Sequence, residues 1–335
     1  MKILIIGAGG IARHHLNALT SLGEEVCGIY DVDRARAEAL ALEYGICPVD
    51  DVEEAVCHAD AVFLLTPPST RLGYMEMIRG RCRNVFCEKP AAVAVEDAVR
   101  MERIAAEENM TCMVGFTQRF RSGYGKLKAI LDSGELGDIV QAIVLRIGPG
   151  PGSDGNLTRS WRTDRKYICG MSIESLSHDI DFLQSLAGPV RSVNGVVKGT
   201  VCELPEFDNN ANAVLLFESG AVGSITCSWS SALARTVKGV IGTKGAAFLQ
   251  GNDIWDNTEL TTETFSGGKR VEKINDIFQD GDGYLNEDRC FLECIREGKK
   301  PPCGLDTGRR VLEISHMILD TSEELKNRGT GHAEK

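Results

Sequence analysis

Residues 2–12 read KILIIGAGGIA, an apolar run that breaks at Gly7 and resumes as an amphipathic stretch. Ile3–Ile6 is short, β-branched and bounded by glycine, which predicts a buried strand. Ile11–Leu22 carries apolar residues at three- and four-residue spacing and predicts a helix. Between them Gly7, Gly9 and Ala12 form the pattern GxGxxA. In a strand–turn–helix setting the first glycine permits a tight turn and the second lets backbone amides approach an anion. The small third residue lets the helix lie close on the sheet. The helix N-terminus then faces negative charge, so Gly7, Gly9, Gly10, Ile11 and Ala12 are candidates for holding the pyrophosphate of a dinucleotide.

The same rhythm continues outward. Val26–Tyr30, Ala61–Leu65, Asn84–Cys87 and Thr111–Val114 predict strands, and Arg34–Tyr44, Val52–Cys57, Arg71–Gly80 and Val95–Asn109 predict helices between them. Strand–helix alternation of this kind predicts a parallel, doubly wound α/β sheet over residues 1–119. Asp31 closes the second strand about 20 residues past the glycine turn, where a carboxylate accepts hydrogen bonds from the ribose hydroxyls and repels a 2′-phosphate. NAD is therefore expected, with NADP not excluded because Arg34 and Arg36 lie nearby. Thr66-Pro67-Pro68-Ser69 follows the apolar strand ADAVFLL at the carboxyl edge of the sheet, where ligands sit in open α/β folds.

Beyond Arg119 the pattern changes. A helix at Tyr124–Asp132 leads into a strand at Ile139–Ile147 and a loop, GPGPGSDGN. A helix at Ser172–Leu186 follows, and Val190–Val271 reads as successive strands of a large, mostly antiparallel sheet. Helices at Tyr284–Glu297 and Asp306–Asn327 close the chain. The expected division is a dinucleotide-binding domain at 1–119, a substrate-binding and oligomerisation α/β domain at 120–328, and a frayed tail at 329–335.

Thirty-seven basic against 48 acidic residues give a net charge of −11, which argues against nucleic acid as a partner. The apolar opening is about half a membrane span and leads into Arg13-His14-His15, so neither an anchor nor a signal is expected. Twelve cysteines form no CxxC pair, as expected of reduced, buried thiols in a cytoplasmic protein. No metal site is expected. Side chains of adjacent helical residues such as His14 and His15 point about 100° apart, and both histidines read as interface or packing groups.

Cys87-Glu88-Lys89-Pro90 ends a strand, and a Glu-Lys pair is unusual at a sheet edge unless it faces a ligand. The proline holds Lys89 out of helical geometry. GAGGIA, TPPS, CEKP, GFTQRF at Gly115–Phe120, WRTD beginning at Trp161, and His178-Asp179-Ile180-Asp181 occur in that order across most of the chain. In this order they resemble the glucose–fructose oxidoreductase, inositol dehydrogenase and rhizopine-catabolism family. The resemblance implies a Rossmann domain followed by an α/β domain with a large open sheet used for oligomer contacts, and sugar or cyclitol substrates. It also implies a working group formed by the lysine of EKP and a histidine with an acid four residues before it, which are Lys89, His178 and position 174 here. That position is usually aspartate but is Glu174 in this chain, and Cys169-Gly170-Met171 stands where three glycines are common.

Oxidising a secondary alcohol requires removal of the hydroxyl proton, and His178 is the candidate base. Lys89 would stabilise alkoxide character, and Glu174 would orient the imidazole or bind another hydroxyl. Arg119, Trp161, Arg162 and Met171 are further candidates for substrate contacts, and Glu88 and Lys89 also border the cofactor. The expected activity is NAD-dependent hydride transfer to or from a sugar, sugar derivative or cyclitol, in a homodimer or homotetramer. The alternatives are redox-assisted glycoside modification that recycles NAD, and a non-catalytic nucleotide sensor.

Overall fold

Short strands that are apolar on both faces need cover on both sides, and helical crossovers supply it. The computed structural model describes residues 1–153, 169–201, 204, 206–278 and 282–330, with backbone alone for 324–330. It divides into two compact units, Met1–Thr117 with Asp282–Leu312, and Gln118–Gly281 with Glu313–Lys335.

Along the chain the first unit opens with β1 (Lys2–Ile6), α1 (Gly10–Ser21), β2 (Glu25–Tyr30), α2 (Arg34–Tyr44), α3 (Val52–Cys57), β3 (Ala61–Leu64), α4 (Arg71–Ile78), β4 (Asn84–Glu88), α5 (Val95–Glu107) and β5 (Thr111–Gly115). All four strand pairings are parallel, in the order β2-β1-β3-β4-β5. A single parallel bridge from Ile29 to Pro48 lies beyond β2. The order reverses between β1 and β3, so the crevice at the carboxyl ends of these two strands is where a ligand of an open α/β sheet sits. The GAGGIA and TPPS loops both leave from that edge.

The second unit holds α6 (Ser122–Asp132), β6 (Ile139–Pro149), α7 (Met171–Glu174), α8 (Leu176–Ala187), β7 (Val190–Lys198), β8 (Asn210–Phe217), β9 (Val222–Ser228), β10 (Ser230–Gly242), β11 (Gly245–Gly251), β12 (Asn257–Thr264) and β13 (Gly268–Asp276). Its eight strands run β13-β12-β11-β10-β6-β9-β8-β7, antiparallel except for the parallel pair β6–β9. Alternation along the strands buries one face, as Ala211, Ala213, Leu215 and Phe217 of β8 illustrate. The single helix expected over Ser172–Leu186 is broken at Ser175 into α7 and α8, and α8 is buried all round from Leu176 to Leu183.

The chain closes with α9 (Gly283–Glu297) and α10 (Leu305–Thr330). Residues 282–312, assigned from the sequence to the second domain, cluster instead with the first unit. The cause is aromatic and polar packing. Phe291 of α9 meets Phe63 and Phe86 edge-on, each at 5.7 Å, and Tyr284 stacks on His14 at 4.7 Å. Gly329 and Thr330, placed in a frayed tail, belong to α10. Among the described residues the eleven cysteines form no disulfide, and Cys47 and Cys57 are exposed where buried thiols were expected.

Candidate functional site

Gly7 has φ +111°, and a Cβ on it would lie 2.7 Å from the Leu65 carbonyl carbon and 2.9 Å from the Thr66 nitrogen. Only glycine lets the turn after β1 come this close to the loop after β3. Gly9 and Gly10 are exposed, and a Cβ on either would meet nothing within 4 Å, so open space lies outside the start of α1. No side chain caps that helix and no acid stands in its first turn. Its first N–H groups, at Gly10 and Ile11, are therefore available to an anion, while that of Ala12 already donates to the Gly9 carbonyl at 3.0 Å. Ala12 is fully buried against the sheet, and Ile11 is half-buried.

Asp31 sits at the carboxyl end of β2. One carboxylate oxygen accepts the Ala8 N–H at 2.7 Å and the other accepts the Asp33 N–H at 2.8 Å. The carboxylate therefore shapes the glycine loop while keeping further lone pairs for ribose hydroxyls. Arg34 pairs with Glu38 at 2.6 Å and with Asp50, and Arg36 pairs with Asp33 at 3.0 Å. Both arginines are thus engaged by carboxylates, which weakens the case for a 2′-phosphate site.

Thr66, Pro67 and Pro68 turn the chain into α4, whose first residue, Arg71, is buried. Its guanidinium donates to the Thr66 carbonyl at 2.9 and 2.7 Å and to the carbonyls of Glu88 and Pro90. One side chain thereby fastens the TPPS loop to the EKP loop. The Lys89–Pro90 peptide is cis. Glu88 is 5% exposed, and its carboxylate accepts the Lys89 backbone N–H at 2.8 Å and faces His15 Nε2 at 3.3 Å. His15 Nδ1 lies 2.8 Å from Asp288 of α9. Burial opposes charge on this ring, but Asp288 and then Glu88 outweigh it and push the imidazole up to about 10. Burial raises the Asp288 and Glu287 carboxyls, and Glu287 accepts the Thr117 hydroxyl at 2.7 Å.

In the second unit, a Cβ on Gly170 would lie 2.3–2.6 Å from the Asp208 carboxylate atoms. That carboxylate accepts the Ser172 N–H at 2.9 Å and so starts α7. Met171, Glu174 and His178 are all buried, so Glu174 is not on a solvated helix face. Asp181 takes Arg119 in a two-pronged pair at 2.7 and 2.6 Å. Burial still leaves the Asp181 carboxyl raised against that pull. Asp179 takes fully buried Arg146 of β6, with contacts down to 2.5 Å. The Arg146 guanidinium lies 4.3 Å over the Trp255 ring, which meets His178 edge-on at 5.7 Å. Both aspartates of HDID thus serve arginines, while Trp255, which lies against Arg146, backs the His178 ring. Trp161 and Arg162 lie outside the described residues.

Residues 1–116 match the model of an oxidoreductase family with an NAD-binding Rossmann fold, and residues 124–248 match the GFO/IDH/MocA C-terminal domain. The chain belongs to the GFO/IDH/MocA oxidoreductase family. It is 26% identical over 317 residues to a scyllo-inositol 2-dehydrogenase (NAD(+)) of Bacillus subtilis strain 168, covering 90% of this chain and 88% of the relative. It is 25% identical to an inositol 2-dehydrogenase of Rhizobium meliloti strain 1021, covering 96% of each. A solved levoglucosan dehydrogenase in complex with NADH shares the fold, with a TM-score of 0.89 at 19% identity over 97% of each chain.

In this GFO/IDH/MocA chain the residues present fit NAD. The Gly7 turn, the open N-terminus of α1 and the Asp31 carboxylate would hold its pyrophosphate and ribose. Exchanging Asp31 for serine removes a charged acceptor worth about 10- to 100-fold in affinity. The kcat/KM ratio of NAD to NADP is expected to fall by that factor in steady-state assays with each cofactor. An unchanged ratio would separate Asp31 from ribose recognition. Residues missed from the sequence are Arg71, Asp208, Arg146, Trp255 and Asp288. The one local signal was Arg146, a charged residue on the core-facing parity of β6 beside Ala142 and Val144.

Proposed function

We propose that this chain is an NAD-dependent dehydrogenase of a secondary hydroxyl on a cyclitol or sugar, worked by Lys89 and His178. The observation that carries this is the uncapped, open helix start at Gly9–Gly10 on the same sheet edge as the buttressed Lys89 loop. The inositol dehydrogenases that align over nine-tenths of the chain support a polyol substrate. Bound NAD supplies the hydride acceptor. His178 takes the hydroxyl proton on a ring nitrogen, and the Lys89 ammonium stabilises negative charge growing on the same oxygen. Glu174 orients the imidazole or binds a neighbouring hydroxyl. Arg119, held by Asp181, and Met171 border the substrate. Incubating the purified chain with NAD or NADP and a panel of cyclitols, sugars and sugar phosphates tests this. Reduced nicotinamide is expected with NAD and at least one polyol. A chain that binds NAD yet reduces none across the panel would contradict it.

The chain also acts as a homodimer or homotetramer in the cytoplasm. Val196, Val214 and Val222 are 44%, 63% and 38% exposed on one face of β7–β9, among Asn194, Asn212 and Thr226. An apolar strip of this kind on an open sheet is suited to a second copy. Sedimentation at micromolar concentration is expected to show a dimer or larger, and a monomer would refute it. The eleven cysteines among the described residues, none of them in a disulfide, are consistent with a reducing compartment. No helix among the described residues is long and apolar enough to cross a membrane.

A further inference from the structure

The most charged part of the first unit's interior lies behind the Lys89 loop. His15 is 0% exposed and is boxed by Phe63, Phe86 and Tyr284 at 4.9–5.6 Å. Both ring nitrogens face carboxylate oxygens, Nδ1 toward Asp288 at 2.8 and 3.1 Å and Nε2 toward Glu88 at 3.3 Å. Ionised carboxylates only accept, so with Asp288 and Glu88 both ionised the two nitrogens donate and the ring is an imidazolium. A residue needed only to fill this aromatic box would be apolar, because a buried ion pair seldom stabilises more than a hydrophobic replacement. The cluster therefore calls for a role beyond filling space.

Its position supplies one. Glu88 uses its first carboxylate oxygen on His15 and its second on the Lys89 backbone N–H at 2.8 Å. Arg71 holds the carbonyls on either side, those of Glu88 and Pro90. The peptide from which Lys89 departs is thus fixed through its carbonyl neighbours by Arg71 and through its N–H by Glu88. The Glu88 carboxylate is set in turn by an imidazolium on α1, the helix whose open start is suited to the dinucleotide.

We propose that His15 is a positioning residue for Lys89, acting through the Glu88 carboxylate to hold the lysine in register with the cofactor-binding helix. This rests on the assignment of Lys89 to catalysis made above.

The test compares His15→Gln, Asp288→Asn and Lys89→Met, and each of the first two combined with the third. Three readouts are followed: kcat and KM, the NAD dissociation constant by calorimetry, and hydrogen–deuterium exchange at the Lys89 amide. His15→Gln is expected to speed exchange at that amide by about tenfold or more, as for loss of a charge-assisted hydrogen bond. It should lower kcat by about 10- to 100-fold through misplacement of the lysine, with the NAD dissociation constant within about twofold. In the Lys89→Met background the same change should leave the residual rate within about twofold, because coupled residues are non-additive. Asp288→Asn is expected to move exchange and kcat in the same direction, and it carries the test if His15→Gln does not fold. A folded variant with unaltered exchange at Lys89, or losses that multiply with Lys89→Met, would overturn the positioning role while leaving Lys89 catalytic. A Lys89→Met enzyme of near wild-type rate would overturn both.

Discussion

Lys89→Met is expected to lower kcat for polyol oxidation by about 1,000-fold, the scale of one lost electrostatic group at a reacting oxygen. The NAD dissociation constant should stay within about twofold. Methionine keeps the length of the lysine stem and removes the ammonium. The loop that presents it is held by groups the substitution leaves in place: the Arg71 bonds to the Glu88 and Pro90 carbonyls, and the Glu88 carboxylate on the residue-89 amide. Loss of rate then reports the charge rather than a collapsed loop. Steady-state kinetics beside calorimetric titration of NAD check this, and a rate within about threefold of wild type would remove Lys89 from the chemistry.

The second large effect is expected at His178. His178→Asn removes the proton acceptor, and general-base loss costs about 100- to 10,000-fold in rate. The ascending limb of the pH profile for alcohol oxidation should vanish with it, and added imidazole should restore part of the rate. Asparagine is smaller than histidine and polar, so the buried position beside Trp255 accepts it without overpacking. The Arg146–Asp179 and Arg119–Asp181 pairs that fix α8 are left intact. A variant that keeps the wild-type pH profile would assign the proton to another group.

Local pattern carried the first unit well. Residues 2–12 contain strand, turn and helix start in one stretch, and each feature of that turn follows from neighbouring residues: Gly7 at φ +111°, exposed Gly9 and Gly10, buried Ala12. The second unit was legible in class but not in pairing. The parallel contact of β6 with β9 joins Gln141–Ile147 to Val222–Ser228, which no alternation of apolar residues announces.

The candidate site shows the same division. EKP stood out as a charged pair at a sheet edge and HDID through the family resemblance, yet what holds them is remote in sequence. Arg146 reaches Asp179 across 33 positions, Arg119 reaches Asp181 across 62, and His15 reaches Asp288 across 273. The last of these is also why residues 282–312 cluster with the first unit rather than the second. A buried charge needs a partner, but sequence alone does not say which of 48 acidic residues provides it.

Lys89 and His178 are proposed to act on one substrate oxygen. A crystal structure of the enzyme with NADH and the polyol it oxidises tests it most directly. Lys89 Nζ and a ring nitrogen of His178 are both expected within about 3 Å of the same substrate hydroxyl. A ternary complex in which either group lies beyond hydrogen-bond reach of that oxygen, with no intervening water, would contradict it.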